Sequence, residues 1–270
     1  MWFFVSPFII FGPDALEFLG NIKGERCFIV TDKNLEELGY VKILTDKLDQ
    51  SERKYEIYND VKPNPQEEDV LKGKEQCIAY APNLIIALGG GSVIDTAKAI
   101  WAMYEFPEFV LDDLNVGNEQ LYDIGKKSTM VAIPTTSGTG AETTWAMVLS
   151  RNEQDVWRKI GFSHKAVYPT FSILDPIFPA GMPKKLTVHT AFDTLAHSFE
   201  TVVSSWRNEF SDALALKAIT QSLRELQTDL AEPEAMLKSD ELANPVFASA
   251  DAKEGMRAFK EKRKAVFKGE

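Results

Sequence analysis

Cysteine and histidine are scarce in this chain of 270 residues, which has two of the former and three of the latter. Cys27 and Cys77 lie in different segments without metal-type spacing. That excludes a thiolate metal site and a disulfide scaffold, and reads as two small buried thiols in a reducing cytoplasm. Long apolar runs are also missing, where a membrane helix needs roughly 20 apolar residues. Residues 1–12 (MWFFVSPFIIFG) are strongly apolar but too short to span. No Lys or Arg precedes them and no small-residue cleavage site follows, so a signal peptide is not expected. A buried strand ending at Gly12-Pro13 is. Positive charge is outnumbered, 30 Lys and Arg against 40 Asp and Glu for a net -10. Phosphate backbones repel such a chain, so nucleic acid is not an expected partner.

What is present is ordinary for a globular protein: 44% hydrophobic and 26% charged residues. At about 100–200 residues per domain, the length allows one large or two modest domains. Short apolar runs at 26–32, 83–91 and 128–136 alternate with helical stretches reaching to Gln50, over 64–80 and over 92–103. Pro65 is expected in the first turn of its helix and Ser92 at the opening of the next. This alternation predicts an α/β fold with a parallel sheet, which binds ligands outside the carboxyl ends of its strands. From about residue 183 the period becomes helical throughout, over 183–205 and 208–227 with a break near Arg207-Asn208. The expected domains are therefore 1–178 (nucleotide-binding), 179–243 (a partial helical domain) and a tail, 244–270.

Four features carry chemistry. Gly89-Gly90-Gly91-Ser92 joins a strand to a helix. A helix start with glycines beside it attracts phosphate, although a tight turn without a ligand would use the same residues. The motif is not the dinucleotide fingerprint G-x-G-x-x-G. Asp32 ends the first strong strand, where it could accept from ribose hydroxyls or cap the following helix. The stretch 134–142 (PTTSGTGAE) places hydroxyls and glycines after another strand, a nucleotide-holding loop or a solvated one. Asp193 and His197, at i and i+4, are about 6 Å apart along a helix axis. They suit two ligands of one Fe(II), Zn(II) or Mn(II) ion, or a surface pair. His189 is roughly 12 Å of helix rise from His197 and reads as a non-ligand.

Taken together, Phe11-Gly12, Val30-Thr31-Asp32, Val61-Lys62-Pro63-Asn64-Pro65, GGGSVIDTAK at 89–98, PTTSGTGAE at 134–142, ILDP at 173–176 and FDTLAHSFE at 192–200 resemble the iron-containing (group III) alcohol dehydrogenase family over about residues 1–228. The resemblance implies an NAD-binding α/β domain, a helical metal domain, and metal-assisted hydride transfer between NAD(H) and a small alcohol or aldehyde. It implies cofactor contacts at Asp32, Asn64, Gly89, Gly90, Gly91, Ser92, Asp95, Thr135, Thr136, Thr139 and Lys159. Asp193 and His197 match its first two metal ligands and catalytic positions, for Fe(II) or Zn(II). Asp32 favours NAD over NADP.

Members of the family use two further histidines downstream, and none follows His197 here. The expectation is a helical domain in truncated form, with exposed apolar faces over 183–227. A non-catalytic NAD(H)-binding fragment is then the alternative to an active enzyme. The tail, with Ser249, Asp251, Glu254, Gly255, Ala258, Phe259, Glu261, Lys262 and Arg263, resembles the C-terminal end of the enoyl-CoA hydratase (crotonase) family. It brings seven Lys and Arg against four Asp and Glu over 251–270. A fusion with its junction between about residues 228 and 243 is expected. The expected partners are a small alcohol or aldehyde and a second copy in a homodimer, with no membrane, in the cytoplasm.

Overall fold

The structure is a computed structural model that describes residues 5–153, 155–229, 257 and 263. The described residues fall into two compact units, one ending at Thr190 and the other starting at Ala191. In the first, β1 (Phe8–Phe11), β2 (Arg26–Val30), β3 (Lys54–Tyr58), β4 (Leu84–Gly89), β5 (Thr129–Pro134) and a later strand, Phe171–Leu174, form one sheet. Between β5 and that later strand lies a separate antiparallel ribbon of β6 (Ala146–Glu153) and β7 (Val156–Ser163), so Phe171–Leu174 is β8. The six-stranded sheet is ordered β1-β8-β5-β4-β2-β3, and every pairing in it is parallel.

Strand parity builds the two cores. Phe28, Val30, Ile85, Ala87, Met130 and Ala132 face one side, packed beneath α3 (Glu67–Tyr80) and α4 (Gly91–Glu105). Cys27, Ile29, Leu84, Ile86, Leu88, Val131 and Ile133 face the other, beneath the 3-10 turn Ala15–Asn21 and the helix Tyr40–Gln50. A sheet covered on both faces needs continuous apolar strands rather than alternating ones. β4 accordingly is buried along its whole length. Both cysteines lie in these cores, and burial pushes their thiols up, that of Cys27 to about 11.

Several local expectations need correction. The N-terminal strand is not buried: β1 is the sheet edge, and Phe8, Ile9 and Phe11 are exposed. Apolar composition signals a strand, but burial depends on where the strand order puts it. The helical stretch before Gln50 is two helices, α1 (Lys33–Glu37) and α2 (Tyr40–Gln50). Gly39, at φ 81, divides them in a conformation that favours glycine. Pro65 lies outside α3, which is opened by Gln66 in a reciprocal capping box with Asp69. Ser92 is not the cap of α4. Gly90 is, and Ser92 sits inside the first turn, its carbonyl accepting from Thr96 Oγ1 at 2.8 Å.

In the second unit, α5 (Lys184–Val203) continues beyond the unit boundary, and α6 (Glu209–Asp229) follows. The break near Arg207-Asn208 is where the sequence places it. Asn208 Oδ1 accepts from the backbone N–H groups of Phe210 and Ser211, and Arg207 pairs with Asp212 at 2.6 Å. Phe199, Val203, Leu214 and Leu216 are exposed, as expected of these helices. The tail 244–270, with its crotonase resemblance, lies outside the described residues except for Arg257 and Arg263. Among the described residues, no helix is long and apolar enough to cross a membrane.

Candidate nucleotide site and the Asp193–His197 pair

The chain runs from β2 outward to β3 and then returns to the other side of β2 as β4. The order therefore reverses between β2 and β4, and in open parallel sheets the crevice at such a reversal is where ligands bind. Its rim is made of the predicted segments. Asp32 follows β2, the glycine turn 89–91 ends β4, and Thr135 to Thr139 follow β5. The β4–β5 ladder extends one step past the sheet, with Thr135 N–H donating to the Gly89 carbonyl at 3.1 Å. That bond fixes the threonine loop beside the glycine turn.

The two loops pack closely about the first two glycines. A Cβ on Gly89 would collide with the side chain of Val93, because the first turn of α4 folds directly onto the strand end. A Cβ on Gly90 would lie 3.2 Å from Thr136 Cγ2 and Oγ1. One on Gly91 would lie 3.5 Å from Thr139. Thr136 Oγ1 is buried with no hydrogen-bond partner. A buried hydroxyl without a partner is uncommon, and one facing a helix N-terminus has a ready acceptor in an oxyanion. The residues thus fit a phosphate: a glycine-led helix N-terminus with an unsatisfied hydroxyl against it.

The remaining predicted residues sit as follows. Asp32 caps α1, its Oδ1 accepting from Leu35 N–H at 3.1 Å. The capping alternative is therefore realised, with the second carboxylate oxygen free of any described bond to the chain. Asn64, after β3, is exposed with φ 56. Lys159 is exposed on β7, opposite Ser150 of β6. Asp95 turns away from the glycine turn, and its Oδ2 accepts from Val148 N–H at 2.9 Å. Its carboxyl is pushed up by burial, against the pull of Lys98. Two residues carry chemistry that sequence reading missed. Lys98 and Glu142 stand inside the quoted motifs, but no role was read for either. The signal available was a lysine in the otherwise apolar stretch from Ala97 to Met103.

In the second unit, Asp193 and His197 face each other on α5, His197 Nε2 lying 3.9 Å from Asp193 Oδ1, both about half exposed. Carboxylate and imidazole at this spacing provide two donors for a divalent ion. Catalytic sites of the zinc type use three protein ligands and an open position. Among the described residues no group of three or more His, Cys, Asp or Glu could hold a metal. The donor set therefore fits a metal ion only in part.

The family model for iron-containing alcohol dehydrogenase matches residues 6–176. Aldehyde-alcohol dehydrogenase 2 of Entamoeba histolytica is 36% identical over 263 residues, which cover 92% of this chain and 30% of that protein. The NADPH-dependent butanol dehydrogenase of Clostridium saccharobutylicum is 34% identical, over 78% of this chain and 54% of its own. Among solved structures, a 1,3-propanediol oxidoreductase superposes with a TM-score of 0.77 at 29% identity, covering 86% of this chain and 60% of that one. An iron-containing alcohol dehydrogenase of Thermotoga maritima gives 0.75 at 30% identity, over 87% and 65%. The chain thus spans about a third of the first curated relative and under two thirds of these solved structures.

Proposed function

The chain belongs to the iron-containing alcohol dehydrogenase family, and we propose that it binds NAD(H) across β2, β4 and β5 for hydride transfer to or from a small alcohol or aldehyde. The observation that carries this reading is the partnerless Thr136 hydroxyl standing close against the glycine turn, at the point where the strand order reverses. Gly89, Gly90 and Gly91 with the first turn of α4, including Ser92, would receive the pyrophosphate. Thr135, Thr136 and Thr139 would add hydroxyl donors, Asn64 and Lys159 further contacts, and Asp95 support from behind the turn. Asp32 would accept from the adenosine ribose and repel a 2′-phosphate. A bound nicotinamide supplies the hydride acceptor or donor. A butanol dehydrogenase and a 1,3-propanediol oxidoreductase among the relatives support short primary alcohols as substrates. Asp193 and His197 would contribute two donors to a divalent ion.

The partial donor set favours a second reading, a nucleotide-binding fragment without turnover. The resemblance of the tail to crotonases adds no acyl-CoA chemistry to either reading. Two unpaired buried thiols support a cytoplasmic location. The exposed apolar edge of β1 supports a homodimer.

The test is NADH formation from NAD and a series of primary alcohols, with Fe(II) or Zn(II) added, alongside fluorescence titration with NADH. Saturable NADH binding is expected in both readings, and turnover in the first alone. A chain that binds no dinucleotide overturns both.

Asp32→Ala separates the two roles of that residue. NADH affinity is expected to fall about tenfold, with a smaller loss for NADPH, so that discrimination between them disappears. The lost cap independently lowers the unfolding free energy by about 1 kcal/mol. A stability loss with an unchanged NADH-to-NADPH ratio leaves Asp32 as a cap alone.

A further inference from the structure

One to two turns along α4 from the glycine turn, Asp95 and Lys98 form a buried cluster of charges with Glu142. The Lys98 side chain is completely buried, while the other side chains around it from Ala97 to Met103 are apolar. Its Nζ donates to the Ala146 carbonyl at 2.8 Å and to Thr144 Oγ1 at 3.3 Å. Asp95, one turn earlier on α4, brings Oδ1 to 3.8 Å from the same nitrogen. The other Asp95 oxygen accepts from Val148 N–H. Glu142, on the 3-10 turn Ala141–Thr143, has a buried Oε2 with no hydrogen-bond partner. Asp95 and Lys98 together therefore hold the Thr144 hydroxyl and the backbone at Ala146 and Val148 against α4. This segment is the direct continuation of the threonine loop.

Resting on the cofactor reading above, we propose that Lys98 is a positioning residue for the dinucleotide site, its buried ammonium tying the chain after the threonine loop to α4 and so setting the distance between Thr136 and Gly90. The reasoning is mechanical and electrostatic. The glycine turn begins α4, and the threonine loop ends at the segment that Lys98 holds, so the tie closes the loop from behind. A cation also offsets two carboxyl groups, Asp95 and Glu142, that would otherwise be buried with no counter-charge.

The groups that face Lys98 are Asp95 on its own helix and Glu142 from the 3-10 turn, with the Thr144 hydroxyl and the Ala146 carbonyl from the start of β6. Burial pulls the Lys98 ammonium down to about 8, against the opposing pull of Asp95 and Glu142. The proton is therefore present at neutral pH and is lost as pH rises through 8. Above that, the two carboxyl groups lose their cation and the tie weakens. His164, pulled down by burial, and Cys27, pushed to about 11, titrate outside this window.

The experiment measures NADH affinity of the full chain between pH 7 and pH 9.5, together with amide hydrogen exchange over residues 136–148 in the absence of cofactor, for wild type and Lys98→Met. Wild-type affinity is expected to fall about tenfold across the range, centred near pH 8. K98M is expected to bind about tenfold more weakly at pH 7, to show no such pH profile, and to exchange faster at Val148. A circular-dichroism melt confirms that K98M is folded. If it is not, the wild-type profile decides alone, and a flat one overturns the proposal. Equal affinity and equal exchange in a folded K98M overturn it as well. A wild type that binds no NADH at any pH defeats the cofactor reading instead, and the exchange rates still test the tie.

Discussion

Replacing Gly90 by valine is expected to weaken NADH binding by on the order of a hundredfold or more, with the thermal midpoint little changed. The backbone at Gly90, φ -77 and ψ -171, is extended and open to any residue. What valine adds is bulk: its Cβ would stand 3.2 Å from Thr136, and its two methyl groups would project over the glycine turn where a phosphate is proposed to sit. Gly89→Ala makes the contrast. There the added Cβ falls within the side chain of Val93, a β-branched residue that is itself buried. The strand-to-helix junction must shift, at a cost of about 1–3 kcal/mol. Titration with NADH and thermal melts of both variants therefore give opposite patterns, binding lost in G90V and stability lost in G89A. A G90V chain that binds NADH like wild type would remove the glycine turn from the site.

The same pair of glycines shows how much could be read before the structure. The runs 84–88 and 130–133 are legible as central strands because a sheet covered on both faces leaves no polar positions in them. The segments at the strand ends were legible for the same reason, since turns after such strands form the crevice. Their mutual placement was not. That Asp32, Gly90 and Thr136 share one rim follows from the order β5-β4-β2, a long-range property that no local pattern encodes. The burial of β1 was misjudged on the same ground. Ser92 was misread as a cap because serine favours that role by type, whereas the cap falls on Gly90, where the strand end meets the helix. The β6–β7 ribbon has no comparable signature, because it stands outside the parallel sheet, leaves Val148 and Trp157 exposed, and joins the rest of the fold through the long-range Gln66–Ser150 bridge. Lys98 was unreadable in role because a lysine within an apolar helix is ordinarily a sign of exposure, and its partners are a carbonyl and a hydroxyl more than 40 residues away.

Asp193→Ala is expected to abolish any stimulation of NADH formation by Fe(II) or Zn(II), a loss on the order of a hundredfold, since even residues that merely support a ligand cost 10–100-fold when changed. NADH binding should be unchanged, because no glycine-turn or threonine-loop residue is altered. The reasoning starts from the pair itself. Asp193 Oδ1 and His197 Nε2 stand 3.9 Å apart, close enough to share one ion and half open to solvent. Two donors hold an ion less firmly than the three of a catalytic site, so stimulation should need more metal than a preloaded enzyme requires and should be reversed by a chelator. His197→Ala should match Asp193→Ala if the two act on one ion, and the double variant should then lose no more than either alone. Additive losses would mean that the pair does not share a metal. Stimulation that survives in Asp193→Ala would place the ion elsewhere. A wild-type chain that binds NADH, yet forms none from any alcohol at any metal concentration, would establish the nucleotide-binding fragment as its function.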